Sequence, residues 1–334
     1  MAFVHAADRG LAYVSEQYGG VMVVDLNSMR AVAEIDVQGL GARGLGLTDD
    51  GKLLIVAVRE NGSVSVIDTS TRRVIKQIAV GKNPEFVRVR GHFAFVSYEP
   101  SATGSAPSKT GTTKNDDHDD DVIPARIGVI DLNLGKKVRE IVAGAETEGI
   151  EFSADGRRLV VTNEADNTVT VHDITSGELL KTINTQHYGN RPRGIKLSPN
   201  GQRYVVSLEF GNKLMVMNQA FEVVATVDTA DTPYGVAFDK SGERIMVATN
   251  KAKLLQVFDS KTLAKIKDIP TGNRCWHFSF TPDGQDILLA CGKSDALLVI
   301  DANNFASRPS IANNKQVWGV VTYPKAMGSL ENGR

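Results

Sequence analysis

The chain has 334 residues, 38 of them basic and 39 acidic, for a formal net charge of −1 at neutral pH. That balance supplies no global field to draw it to nucleic acid or to an anionic membrane, and no apolar run approaches the ~20 residues of a spanning helix. The length admits two average domains or one large all-β domain, and 42% hydrophobic residues suffice for a core.

In chain order, Ala2-Phe-Val-His5 reads as a short apolar segment. Leu11-Ala-Tyr-Val-Ser15, Val21-Met-Val-Val-Asp25 and Ala31-Val-Ala-Glu-Ile-Asp36 follow as three strands. A complete four-strand unit comes next, with strands named A to D: Gly44-Leu-Gly-Leu-Thr48, Lys52-Leu-Leu-Ile-Val-Ala-Val58, Gly62-Ser-Val-Ser-Val-Ile-Asp68 and Arg73-Val-Ile-Lys-Gln-Ile-Ala-Val-Gly81. The turn between its strands A and B, Asp49-Asp-Gly51, recurs as Ala154-Asp-Gly156, Pro199-Asn-Gly201, Lys240-Ser-Gly242 and Pro282-Asp-Gly284. Gly, Asn and Asp accept the positive φ of a tight hairpin there. Strand C closes on Asp25, Asp68, Asp131, Asp173, Asn218, Asp259 or Asp301, short acceptors suited to capping the backbone donors of the next turn. The last segment, Gln316-Val-Trp-Gly-Val-Val-Thr-Tyr-Pro324, is a further strand A with no B, C or D behind it.

The residues opening strand A are Arg43, Glu85, Glu148, Arg193, Tyr234, Trp276 and Trp318. They recur about every 42 residues, with one longer step that places an insertion of about 20 residues in the third unit. A period of that size with four strands is the signature of propeller blades. The pattern resembles the YVTN family of β-propeller repeat proteins, most closely at Phe152-Ser-Ala-Asp-Gly-Arg-Arg-Leu-Val-Val-Thr-Asn163 with Asn167-Thr-Val-Thr-Val-His-Asp173, and at Phe280-Thr-Pro-Asp-Gly284. The resemblance spans nearly the whole chain. It implies an all-β fold: a seven-bladed β-propeller of four-stranded antiparallel blades, one domain over 1–334, with a flexible acidic insertion at about 99–125. Closure is expected from the C-terminal strand joining the N-terminal strands, which removes an open edge. Ala2-Phe-Val-His5 as an inner strand would give eight blades instead. The tail from Trp318 to Leu330 is loosely similar to the closing strand of haem d1 propellers, without their histidine motifs, and propellers of cofactor-dependent oxidation systems carry similar repeats.

Strands A begin at one rim of the channel, so equivalent positions form rings on that top face. The inner ring of Arg43, Glu85, Glu148, Arg193, Tyr234, Trp276 and Trp318 combines flat apolar walls with guanidinium groups that bind carboxylates, which suits a small planar anion held by Arg43 and Arg193. Mutual pairing of Arg with Glu, with Trp plugging the pore, is the structural alternative. A second ring follows strand B: Glu16, Glu60, Glu99, Glu164 and Glu209, then Lys251 and Lys293, an acidic arc for a divalent metal or a basic partner, or solvated loop residues. The insertion adds Asp117, His118 and Asp119 as metal-binding candidates, against a disordered acidic lid. His187 and His277 are the histidines expected nearest the rim, although strand alternation would turn His277 into a blade interface. Cys275 and Cys291 lie on strands A and B of one blade. Buried free thiols are the expectation, with a disulfide or a metal as alternatives.

The scaffold carries many roles, so function rests on the rings. The first reading is a binding protein or scaffold for a small anionic ligand, a cofactor or a partner protein at the top face, more a binder than an enzyme. The resemblance places it in the periplasm as a mature form lacking its signal peptide; otherwise the absence of a basic and apolar leader places it in the cytoplasm. The alternative is a lactonase-like, metal-assisted hydrolase using rim carboxylates such as Glu148 or Glu164. No Gly-x-Ser-x-Gly elbow or phosphate loop supports it. No Cys-x-x-Cys-His is present, so c-type haem attachment is not expected.

Overall fold

The computed structural model describes residues 9–99 and 124–333. Seven four-stranded antiparallel sheets form the blades of a β-propeller. Blade 1 takes the order Val317–Tyr323, Leu11–Glu16, Val21–Asp25, Arg30–Ile35. The last strand therefore sits innermost beside the first, with Leu11 opposite Tyr323 and Val14 opposite Val320. The two chain ends close the ring within one blade, which leaves seven sheets rather than eight. Ala2-Phe-Val-His5 and the insertion at 100–123, with Asp117, His118 and Asp119, lie outside the described residues.

Burial follows strand position. Strands B and C are buried on both faces because each packs between neighbouring blades, as in Leu53–Val58 and Ser63–Asp68. The outer strands D alternate, as in Val223–Asp228, because only one face meets protein. The acceptor ending strand C does the work expected of it: the Asp68 carboxylate takes the Ser70 and Thr71 amides, both at 2.9 Å. Asp25, Asp131, Asp173, Asn218, Asp259 and Asp301 do the same in their blades.

Strands A are irregular in a way that matters for the channel. Pairing with strand B slips between Ala42 and Leu45, Thr147 and Gly149, Pro192 and Ile195, Pro233 and Val236, and Cys275 and Phe278. Such a bulge breaks the two-residue alternation. The residue after each ring position is Gly44, Gly149, Gly194, Gly235 or Gly319 in five blades, since here one strand A abuts the next: Gly44 N donates to Glu85 O at 2.8 Å. A Cβ on Gly194 would stand 2.6 Å from Tyr234 O.

Cys275 and Cys291 are not free thiols. The A–B register sets them directly opposite one another, Cα atoms 3.8 Å apart, and they form a disulfide.

Beyond Tyr323 the tail turns back under the channel. Ser329 N donates to Phe278 O and Phe280 N to Met327 O, each at 2.8 Å. Arg88 donates to Leu330 O at 2.8 Å, and Asn332 donates to Glu151 at 3.0 Å. The buried Arg88–Glu151 pair, 2.8 Å apart, and Lys196 thus meet the tail at the lower end of the channel. No helix among the described residues is long and apolar enough to cross a membrane.

Candidate functional site on the top face

Each loop leading into a strand A carries a left-handed residue two places before the ring position. These are Gly41 (φ 78°), Asn83 (49°), Glu146 (52°), Arg191 (59°), Thr232 (67°), Arg274 (53°) and Gln316 (55°). Glycine and asparagine take this conformation cheaply, while Thr232, branched at Cβ, is the most strained. The common turn delivers the ring residue to the channel and stands its own side chain at the rim: Asn83, Glu146, Arg191, Arg274 and Gln316 all border one cleft.

That cleft holds about 730 Å³ over the mouth of the channel. Six inner-ring residues line it: Arg43, Glu85, Glu148, Arg193, Tyr234 and Trp276. Trp318 does not. It is wholly buried beneath the Arg43 guanidinium, 5.4 Å from the ring centroid, and closes the channel under the cleft. Charges in the ring are largely paired. Arg43 meets Glu85 at 2.8 Å. Arg193 meets Glu148 at 2.5 Å and Glu209 at 2.8 Å, contacts Glu164, and stacks 4.8 Å over Tyr234. Tyr234 donates to Glu148 at 3.1 Å, and Arg191 joins both Glu164 and Glu209.

Of the second ring, Glu99, Glu164, Glu209 and Lys293 reach the cleft. Glu16 is buried beside Asn313 and Lys315, and Glu60 and Lys251 are exposed outside the lining. The expected arc is thus broken, and its two central carboxylates are matched by Arg191 and Arg193. Among the described residues no group of three or more His, Cys, Asp or Glu is arranged to hold a metal ion.

Neither histidine reaches the rim. His187 is exposed on its loop against Tyr188 and outside the lining. His277 lies in the channel rather than at a blade interface, because the bulge at Cys275–Phe278 overrides alternation. It packs against Trp318 (4.4 Å) and Tyr234 (5.4 Å), with Nδ1 3.1 Å from Ser329 Oγ. Burial pushes its pKa down to about 3, so the imidazole is neutral.

The lining contains Arg43, Arg59, Arg191, Arg193, Arg274 and Lys293 against Glu85, Glu99, Glu146, Glu148, Glu164 and Glu209, six cations and six carboxylates. Burial, outweighing the Thr147 amide and helped by Glu146, Glu148 and Glu85, raises Glu99 to about 7. Burial also raises Glu85 and Glu146. Burial opposes the charge on Glu148 too, but Arg193 outweighs it and holds that carboxyl below its usual range. Burial thus works against the charge of three of the six acids, and with Arg193 it also lowers the pKa of Arg191. Arg274 and Lys293 are exposed and in no ion pair among the described residues. Their loops are joined by Lys293 N donating to Asn273 O at 3.2 Å and Gly292 N to Arg274 O at 3.0 Å. Trp276, 7% exposed, lies on Gly292, with the Arg274 guanidinium 5.6 Å from its ring centroid. Sequence reasoning passed over Arg191, Glu146 and Arg274, although all three sit at one repeat position, two before the ring.

Residues 1–89 and 124–255 match the family described as cytochrome D1 heme domain. Among solved structures, hydrazine synthase of Kuenenia stuttgartiensis aligns with TM-score 0.69 at 21% identity, covering 90% of this chain and 98% of that one. Dihydro-heme d1 dehydrogenase NirN, in complex with DHE, aligns with TM-score 0.63 at 19% identity over 93% of this chain and 65% of that one. The periplasmic gluconolactonase of Pseudomonas aeruginosa gives 0.75 at 16% identity over 94% and 98%. These likenesses carry the fold alone. Retinoblastoma-binding protein homolog 5 of Caenorhabditis elegans is 29% identical over 121 residues, 34% of this chain, so the match spans a quarter of that relative's length.

Proposed function

The chain belongs to the cytochrome D1 heme domain family, and from that premise we propose a periplasmic binding propeller with YVTN-type repeats that holds a small planar anion on its top face. The observation that carries the reading is the Arg274–Trp276–Lys293 corner: two exposed cations in no ion pair among the described residues, on the wall where the largely buried Trp276 indole shows its 7% exposed surface. Guanidinium and ammonium groups bind carboxylates, and an indole face stacks on a conjugated ring. The cleft volume falls within the range of small-ligand sites. Arg43 and Arg193, held by Glu85 and Glu148, shape the floor rather than anchor the ligand.

The haem implied by the family fits this cleft only in part. Its lining has flat aromatic surface and cations for carboxylate arms, but among the described residues it contains no histidine, cysteine or methionine to ligate iron. The reading therefore concerns the anionic edge and planar face of a ligand, and no step is drawn through iron. Two features favour the periplasm: the Cys275–Cys291 disulfide, which belongs to oxidising compartments, and the periplasmic setting of the gluconolactonase of like fold.

Of the two tryptophans of the chain, Trp276 lines the cleft and Trp318 lies buried beneath Arg43 of its floor. Iron-free mesoporphyrin, a planar dicarboxylate, should therefore quench tryptophan fluorescence saturably, and its dimethyl ester should bind at least tenfold more weakly. Equal affinity for acid and ester, or no quenching, would overturn the reading.

A hydrolase is the second reading, favoured by one observation. Glu99 titrates at about 7, where a general base works best, beside the Glu146 carboxylate. That reading requires ring opening of gluconolactone in a pH-stat, lost in Glu99→Gln; the binding reading requires none.

A further inference from the structure

We propose that the bottom face carries a second ligand site, independent of the top cleft, that takes a small aromatic carboxylate. It originates in a short turn. Strand A of blade 3, Val87–Arg90, has four residues where the other strands A have six or seven, and only Gly91 and His92 link it to Phe93. In blade 4 the chain needs residues 153–157 to pass from Phe152 to Arg158. Beside this short turn lies a cleft of about 820 Å³, lined also by Pro199 and the tail residue Met327, into which the largely buried Phe95 and Phe152 (3% and 6% exposed) present their edges.

The cleft has an apolar floor and a cationic edge, the composition of a site for an amphipathic anion. Phe95 and Phe152 meet edge to face at 5.3 Å, and two guanidinium groups lie over the same Phe152 ring, Arg88 at 5.5 Å and Arg90 at 5.6 Å. Arg88 is 2% exposed; its Nη atoms bind Leu330 O and Glu151, while its buried Nε has no partner among the described residues. Arg90 is exposed and in no ion pair among the described residues. Its guanidinium lies against Gly156, where a Cβ would overlap its Nη2 atom. The carboxylates at the rim do not meet these groups: Asp49 is held by Lys325 at 2.8 Å, and Glu331 faces the Leu47 amide and Lys325. An aromatic ring entering against Phe93, Phe95 and Phe152 brings its carboxylate to Arg90, where a charge-assisted pair forms at the edge of low-dielectric surface.

The test uses the full chain with ¹³C-methyl methionine and 2-naphthoate as probe. The sequence has seven methionines, and among the described residues Met327, assigned by Met327→Leu, is the one lining this cleft. Its methyl signal should shift saturably with 2-naphthoate. The affinity should fall at least tenfold in Arg90→Ala, whose unchanged melting temperature certifies the fold, and at least tenfold for neutral 2-naphthylmethanol. An unmoved Met327 signal would overturn the site. Equal affinity for acid and alcohol, or for parent and Arg90→Ala, would overturn the carboxylate assignment. Since Trp276 and Trp318 report only the top face, failure there and failure here are distinguishable.

Discussion

Replacing Arg193 by methionine tests whether the ring arginines are structural. Arg193 is 11% exposed and holds Glu148, Glu164 and Glu209, which are 16%, 1% and 11% exposed. Arg191 still covers Glu164 and Glu209 in the variant, so the loss concentrates on Glu148, left with the Tyr234 hydroxyl and the charge of Arg43. Removing one partner of a buried pair costs about 3–5 kcal/mol. An unfolding entropy of ~2.1 cal/mol/K per residue amounts to about 0.7 kcal/mol/K for a chain of this size, so melting should fall by about 4–7 °C. Thermal unfolding followed by far-ultraviolet circular dichroism at pH 7.5 reads this directly, and adding Glu148→Gln should recover most of it. A single variant melting within about 1 °C of the parent would refute the reasoning and return Arg193 to the role of a ligand anchor.

Other perturbations probe separate parts of the account. The folded-state pKa of Glu99 lies above its ordinary value, so its charge costs stability increasingly as pH rises from 4.5 to about 7. Glu99→Gln should match the parent in denaturant midpoint at pH 4.5 and exceed it by about 1–2 kcal/mol at pH 8, with solvent screening allowed for. Gly194→Ala forces a Cβ against the Tyr234 carbonyl at the contact between neighbouring strands A; urea unfolding should show a loss of about 2 kcal/mol or more. Cys275→Ser with Cys291→Ser removes a cross-link between residues 16 apart in sequence, worth about 3 kcal/mol in the loop-entropy account, and the guanidinium midpoint should fall accordingly.

The fold was legible because the repeat is written in the residues that physics most constrains. Asp-Gly and Asn-Gly turns fix hairpin register, and a short acceptor ends every strand C and caps its turn. The unpaired last strand A implied its own partner, Leu11–Glu16. The inner ring was legible for the same reason, since six of its seven members line the cleft. Trp318 fell below it, where the last strand passes under Arg43. Strand B ends gave a poorer ring, because the loops after them diverge: Glu16 turns to Asn313, while Glu164 and Glu209 turn inward to Arg191 and Arg193. His277 was misplaced because a period of two does not survive a bulge. The left-handed position escaped notice because Glu146, Arg191, Thr232, Arg274 and Gln316 do not look like turn residues; only their alignment across blades marks it.

In the proposed binding mode the Arg274–Trp276–Lys293 corner captures the anionic edge of a flat ligand. Parallel titrations of iron-free mesoporphyrin into the parent and into Arg274→Ala with Lys293→Ala test it most directly, since both cations are exposed and their removal spares the paired floor. The double variant should melt with the parent yet bind at least tenfold more weakly. Indistinguishable binding curves for the two proteins would contradict it.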